Sequence, residues 1–147
     1  MIDLHCHLHF GCDDGPHQAE DSIALANALV DAGVTQVACT SHLRRDKGWI
    51  NGKSAQAQLH ASLDAVLGDL GVPLQRVAAA EHMLDEQLLQ TCIDGEGVPY
   101  TDTRWLLIEL PYTVPPPDLF GILYRFSKAG FRVLLAHLER FPYVVDD

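Results

Sequence analysis

The sequence predicts an α/β fold with a parallel sheet, arranged as about five βα units in a single domain. Three observations predict it. Strand-like and helix-like segments alternate along the chain. The strand segments are continuous apolar runs, as expected where both faces of a sheet are covered. The 147 residues make one domain but fall short of the ~250 of a closed α/β barrel. The expectation is therefore the N-terminal portion of a larger barrel, with an open sheet as the alternative.

The elements follow in order. Met1 to Leu4 is a short apolar strand running into His5. Ala19 to Asp31 reads as a helix, because Ile23, Ala26, Leu29 and Val30 recur at helical spacing and Gly33 follows as a stop. Val34 to Cys39 is apolar and partly β-branched, a second strand. Ser54 to Leu70 sets Leu59, Leu63, Val66, Leu67 and Leu70 on one stripe, a second helix closed by Gly71. Leu74 to Ala80 is a third strand, weakened by its alanines, and Leu84 to Cys92 a short helix. Trp105 to Leu110 is a fourth strand. Asp118 caps a helix carrying Leu119, Ile122, Leu123 and Phe126, closed by Gly130. Phe131 to Ala136 is a fifth strand, after which the chain runs only to Asp147.

Composition narrows the function. A net charge of −10 argues against a nucleic-acid surface, whose affinity comes from neutralising phosphates. It also argues against docking on anionic membranes, and it suits a protein that concentrates divalent cations. No apolar run approaches the ~20 residues of a membrane span, and no signal peptide precedes His5. The cysteines, Cys6, Cys12, Cys39 and Cys92, lack C-x-x-C spacing, so the expectation is reduced thiols in a cytoplasmic protein.

Every strand delivers a histidine or glutamate at its C-terminal end. Strand one ends in His5 and His7, strand two is followed by His42, strand three ends at Glu81, strand four at Glu109 and strand five at His137. That edge of a parallel sheet is where chemistry sits. His5 and His7 have period-two spacing, so both imidazoles face one way, and paired imidazoles suit Zn, Mn or Fe. Asp13-Asp14-Gly15-Pro16 alone would be a solvated turn; after H-x-H, one of its carboxylates becomes a ligand candidate. Glu81 and Glu109 end apolar strands, where a carboxylate must be paired or bound to metal. Their bland reading is a salt bridge to Arg76, Arg104 or Arg140. Arg140 offers a planar fork suited to phosphate. His60 is expected to be solvated, His17 and His82 to lie in loops, and Cys39 to be strand core. No G-x-S-x-G elbow supports serine hydrolase chemistry.

Met1-Ile2-Asp3-Leu4-His5-Cys6-His7, Asp13-Asp14-Gly15-Pro16, Thr40-Ser41-His42, Ala80-Glu81, Ile108-Glu109-Leu110-Pro111 and Ala136-His137-Leu138-Glu139-Arg140 together resemble the polymerase-and-histidinol-phosphatase (PHP) superfamily. The nearest likeness is to its CpsB/YwqE-type branch of bacterial tyrosine-protein phosphatases, linked to capsule and exopolysaccharide synthesis. The resemblance covers the whole chain. It implies a distorted barrel of TIM-like form binding up to three divalent metals, manganese foremost, with zinc or iron as alternatives. By that likeness His5 and His7 hold the first metal, Glu81 bridges the first and second, and Glu109 and His137 complete the second. Asp14 and His42 hold the third, Arg140 binds substrate phosphate, and Arg140 and His42 are the catalytic candidates. The implied partner is a phosphotyrosine protein, a bacterial tyrosine kinase among the candidates.

The chain departs from the family pattern twice. Ser41 and Leu43 flank His42 where the family has Pro and a further His, and Arg44 and Arg45 follow, which suits an anionic substrate. The family's final Asp-x-His motif is absent, so the expectation is a PHP domain over 1–147 with its C-terminal part missing. From that follow residual metal binding, weak phosphatase activity and self-association through an open edge. The reaction expected is metal-assisted phosphate-ester hydrolysis. Two rivals stay open: another PHP or amidohydrolase-like reaction such as histidinol-phosphate hydrolysis, and a metal-binding but inactive fragment. Amidohydrolases place a bridging Lys at strand four, where this chain has Glu109.

Overall fold

All the predicted strands and helices form, but two of the strands break midway and continue in a second sheet. A computed structural model describes residues 1–145, and Asp146 and Asp147 lie outside the described residues. The order is β1 (Ile2–Cys6), α1 (Ala19–Asp31), β2 (Gln36–Cys39), β3 (His42–Arg44), β4 (Trp49–Ile50), α2 (Lys53–Asp69) and β5 (Gln75–Ala78). It continues with β6 (Glu81–Met83), α3 (Leu88–Ile93), β7 (Trp105–Glu109), α4 (Leu119–Lys128), β8 (Arg132–Leu135) and α5 (Pro142–Val145).

One sheet has the order β1-β2-β5 and the other β4-β3-β6-β7-β8. All neighbours are parallel except β3 and β4. The second predicted strand becomes β2 and β3, separated by Thr40 and Ser41. The third becomes β5 and β6, separated by Ala79 and Ala80. All four separating residues are fully buried, and their small side chains let the bent strands pass close together. Their amides are still satisfied, as buried amides must be: Thr40 donates to the Cys6 carbonyl at 2.8 Å, Ala79 to Cys39 at 3.2 Å and Ala80 to Val98 at 3.1 Å. Joined through these breaks, the strands form five consecutive parallel runs in chain order, a mixed α/β fold.

The helices cover the outer face. Ser22 and Ala26 of α1 and Leu63 and Leu67 of α2 are buried, packing with Leu8, Val37 and Cys39. Small residues on α1 bring it close, and Ser22 Oγ donates to the Leu8 carbonyl at 2.8 Å. Of the predicted α2 stripe, Leu70 falls past the helix end and is 58% exposed. A second core joins Leu106, Ile108 and Leu110 of the fourth run to Leu88 and Cys92 of α3 and Phe126 of α4. Burying each large side chain there stabilises by ~1.5–3 kcal/mol. Asp118 Oδ1 caps α4, accepting from Gly121 at 3.1 Å. Gly33 and Gly130 take φ of 82° and 83°, turning the chain from helix into strand where a side chain would be strained.

The inner, concave face is less covered than continuous apolar runs predicted. Ile2 and Leu4 of β1, Trp105 of β7 and Leu134 of β8 line a hollow of about 450 Å³ and remain substantially exposed. No helix among the described residues is long and apolar enough to cross a membrane.

Candidate metal centre

The parallel register decides which donors meet. His42 of β3 stands opposite Glu81 of β6, and Met83 of β6 opposite Glu109 of β7. His5 lies on β1 and His7 just beyond it, on the same face. His137 follows β8 in an unusual backbone conformation, φ 29° and ψ 55°. A non-glycine residue there stores strain, and such strain clusters at functional sites.

These side chains converge around a cavity of about 490 Å³ lined by His5, His7, Asp14, His42, Glu81, Glu109 and His137, with Arg44, Glu139 and Arg140 at its edge. Glu81, only 1% exposed, is the centre. Its Oε2 lies 3.1 Å from His5 Nε2, 3.0 Å from His7 Nε2 and 3.3 Å from His42 Nδ1, and its Oε1 lies 2.8 Å from His137 Nε2. His137 Nε2 is also 3.8 Å from Glu109 Oε1. None of these carboxylates has the partner that the bland reading assigned: Arg76 pairs with Asp64, and Arg104 bonds the carbonyls of Ala129 and Gly130. Glu109 instead accepts from Arg44 Nη1 at 3.1 Å.

The donors fit cations better than they fit one another. Three imidazole nitrogens crowd Glu81 Oε2, which has only two lone pairs. His42 Nδ1 and His137 Nδ1 are buried with no hydrogen-bond partner. Separations near 3 Å between donors match ligands sharing an ion at metal–nitrogen distances of ~2.0–2.2 Å. Three overlapping groups have donor atoms all within 4.8 Å of one another: His5, His7 and Glu81; His7, Asp14 and His42; and His42, Glu81 and Glu109.

Electrostatics follow from this crowding. Burial alone would push the Glu81 carboxyl up, but hydrogen bonds from His5 and His7 outweigh it and hold it well below the usual carboxylate range. Burial disfavours the His7 cation, yet Asp13 and Glu81, one on each ring nitrogen, push its pKa up to about 10. Burial and the Glu81 charge raise the Glu109 carboxyl, with Arg44 opposing them.

The Asp-Asp-Gly turn divides its work. Asp14, the predicted ligand, is 61% exposed at its side chain, with Oδ1 3.3 Å from His7 Nδ1 and 3.6 Å from His42 Nε2. Asp13 is the buried one. It accepts from His7 Nδ1 at 3.0 Å, from the His42 amide at 2.8 Å and, through its other oxygen, from the Gly15 amide at 3.0 Å. A carboxylate behind a ligand histidine fixes its tautomer and ring orientation. The sequence marks one carboxylate of this turn as a ligand candidate, but the supporting role of Asp13 behind His7 depends on its burial, which the turn composition does not show.

Trp49 was also missed. It lies on β4, the short antiparallel partner of β3, and stacks on His42 with ring centroids 5.2 Å apart and planes at 15°. Arg44 lies at the cavity, whereas Arg45 turns away to Asp85 at 2.6 Å. Arg140 is exposed at the rim, with no ion pair among the described residues. His17 lies in the loop before α1, as expected. His82 is no loop residue: it is fully buried on β6, where Nδ1 donates to the Leu107 carbonyl at 2.9 Å and Nε2 accepts from the Val98 amide at 3.1 Å. His60 is half-buried rather than solvated, and faces His9.

A parallel α/β fold that gathers imidazoles and carboxylates at the carboxyl edge of its strands belongs to the class of proteins suited to divalent cations. The family model for capsular polysaccharide synthesis, CpsB/CapC, matches residues 1–147, and the chain belongs to that family. Tyrosine-protein phosphatase YwqE of Bacillus subtilis (strain 168) is 28% identical over 140 residues, 95% of this chain and 55% of YwqE. Tyrosine-protein phosphatase CpsB of Streptococcus pneumoniae is 28% identical over 142 residues, 96% of this chain and 58% of CpsB. Crystal structures of YwqE and CpsB, described as unique metal-dependent tyrosine phosphatases, include one that superposes with a TM-score of 0.93 at 26% identity. It covers 100% of this chain and 59% of that one. The chain thus spans about 55–59% of the length of these relatives.

Proposed function

We propose that this chain carries the metal-binding part of a phosphoric-ester hydrolase acting on phosphotyrosine in proteins. The observation that carries the proposal is Glu81, a buried carboxylate within 3.3 Å of four imidazoles in a fold shared with metal-dependent tyrosine phosphatases. His5, His7 and Glu81 would hold one cation, Glu81, Glu109 and His137 a second, and Asp14 and His42 a third. The five parallel runs are read as βα units of a distorted PHP-type barrel, with 1–147 as one domain. Manganese, the metal that the resemblance implies, is the proposed ion; the carboxylates of the centre suit it and no thiolate stands among the donors.

When bound, divalent cations lower the pKa of water and neutralise charge on phosphoryl oxygens. The chain's own residues do the rest. Glu81 balances the cationic charge and fixes the spacing of the histidines. Asp13 holds His7 in one orientation. Arg140, at the rim and without an ion pair among the described residues, takes the phosphate oxygens through its planar fork, and Arg44 adds positive charge beside Glu109. A phenolic leaving group, of pKa about 10, departs with less acid assistance than an alkoxide, which favours phosphotyrosine over phosphoserine.

The test strips the chain with a chelator, reloads it with Mn²⁺, Zn²⁺ or Fe²⁺, and offers a phosphotyrosine peptide, a phosphoserine peptide and histidinol phosphate. The expected result is Mn²⁺-dependent release from phosphotyrosine above the stripped background, lost in Glu81→Gln and with a raised KM in Arg140→Ala. Preference for histidinol phosphate, or no metal-dependent release, would overturn the proposal.

A further inference from the structure

A second set of metal-ligand side chains lies on the helix side of the sheet and is used by none of the chemistry above. His9, two residues beyond His7, is fully buried, as is Cys39 at the end of β2. His60 reaches them from the middle of α2. His9 Nε2 lies 3.4 Å from His60 Nδ1, and one nitrogen of each ring and the Cys39 sulfur all lie within 4.8 Å of one another. The rings meet edge to face, with centroids 5.6 Å apart and planes at 83°.

The outer nitrogens of both rings face polar groups. His9 Nδ1 is 2.9 Å from Ser41 Oγ. His60 Nε2 is turned toward Asp64 Oδ2 at 3.8 Å, and Arg76 holds that carboxylate. With protons on the outer nitrogens, the two inner nitrogens point lone pairs at each other. Two nitrogens on a tetrahedral ion, each at ~2.0–2.1 Å, stand about 3.3 Å apart, which is close to the spacing seen. Outer partners of this kind are what orient ligand histidines in metal sites.

We propose that His9, Cys39 and His60 form a separate site for a borderline-soft divalent cation of the Zn²⁺ class. Two imidazoles and one thiolate select such an ion over the harder cations that suit the carboxylate-rich centre around Glu81. Three protein donors leave a fourth position for water. The thiol proton leaves to solvent as the ion binds. The ion would tie β2, the segment after β1 and α2 into one unit. His60, whose side chain is 17% exposed, is the route in.

Cobalt separates this site from the other, because the Glu81 centre contains no thiolate. Titrating the metal-free chain with Co²⁺ should produce a thiolate-to-cobalt charge-transfer absorption, displaced by Zn²⁺. The band should vanish in Cys39→Ser and persist in Cys12→Ser. His60→Gln, on the helix surface, should weaken the Co²⁺ affinity read from this band by more than about tenfold, since even an outer-partner loss costs that much. It serves as the test should Cys39→Ser fail to fold by circular dichroism. No thiolate band in excess Co²⁺, a band that survives Cys39→Ser, or one indifferent to His60→Gln would overturn the proposal and leave the histidine pair sharing one proton.

Discussion

Glu81 and His42 are register partners on adjacent parallel strands, and the carboxylate Oε2 of one lies 3.3 Å from Nδ1 of the other. Sheet pairing, rather than loop conformation, sets this distance, so the pair is as rigid as the strands. Glu81 also meets His5, His7 and His137, whereas His42 serves one edge of the cluster. Glu81→Gln should therefore lose more bound Mn²⁺ than His42→Ala, by elemental analysis after desalting. Its loss should exceed the 10–100-fold typical of an outer partner. Equal losses would remove Glu81 from its central position.

Asp13 makes a separate prediction because it supports ligands without facing the cavity centre. Its three hydrogen bonds, to His7, His42 and Gly15, hold its pKa down to about 2 despite burial, which opposes them. Asp13→Asn keeps the shape but turns a donor toward one of these three donors. Mn²⁺ affinity should fall about 10–100-fold, and urea unfolding should show a cost of about 1–3 kcal/mol. A variant with wild-type metal affinity would show that His7 needs no carboxylate behind it.

Gly15 is fixed by space rather than by backbone angle. A Cβ there would stand 2.9 Å from His7 Cβ and 3.0 Å from the His7 carbonyl oxygen. Gly15→Ala must push His7 or the turn aside, with an overpacking cost of about 1–3 kcal/mol. The expected outcome is weaker Mn²⁺ binding with β1 otherwise intact, read by isothermal titration alongside a thermal melt. Unchanged binding would mean that the turn moves without carrying His7.

Much of this was legible in the sequence, because strand-end positions in a parallel fold are readable from chain order alone. His5, His7, Glu81, Glu109 and His137 needed only the correct strands. The breaks at Thr40-Ser41 and Ala79-Ala80 were not legible: short apolar runs carry no mark of where a strand bends, and the small residues read as weak strand. The hairpin of β3 and β4 was hidden by its brevity, and Trp49 with it. His82 and His60 were misread because burial of a single polar residue depends on partners distant in sequence, Leu107 and Val98 for one and His9 for the other. The exposed concave face differs because continuous apolar runs report the strands' character, not what covers them.

Tyr100 links distant parts of the chain in a pH-dependent way. Its hydroxyl donates to the Leu4 carbonyl at 2.8 Å, fastening the segment before β7 to β1. Burial first, then the negative charges of Glu81 and Asp3, push its pKa from 10.0 up to about 12. The unfolded chain therefore releases this proton at lower pH than the folded one, and stability falls as pH rises through that window. Below pH 9 the hydrogen bond contributes in full, and Tyr100→Phe should cost about 1 kcal/mol. Between pH 9 and 11 the wild-type chain should lose about 1 kcal/mol more than Tyr100→Phe does, from the difference in proton affinity. Other tyrosines and lysines titrate in both proteins, so the difference between their urea midpoints isolates Tyr100. If the two curves stay parallel across this range, the phenol ionises in the folded protein as freely as in water, and the Leu4 bond does not hold it.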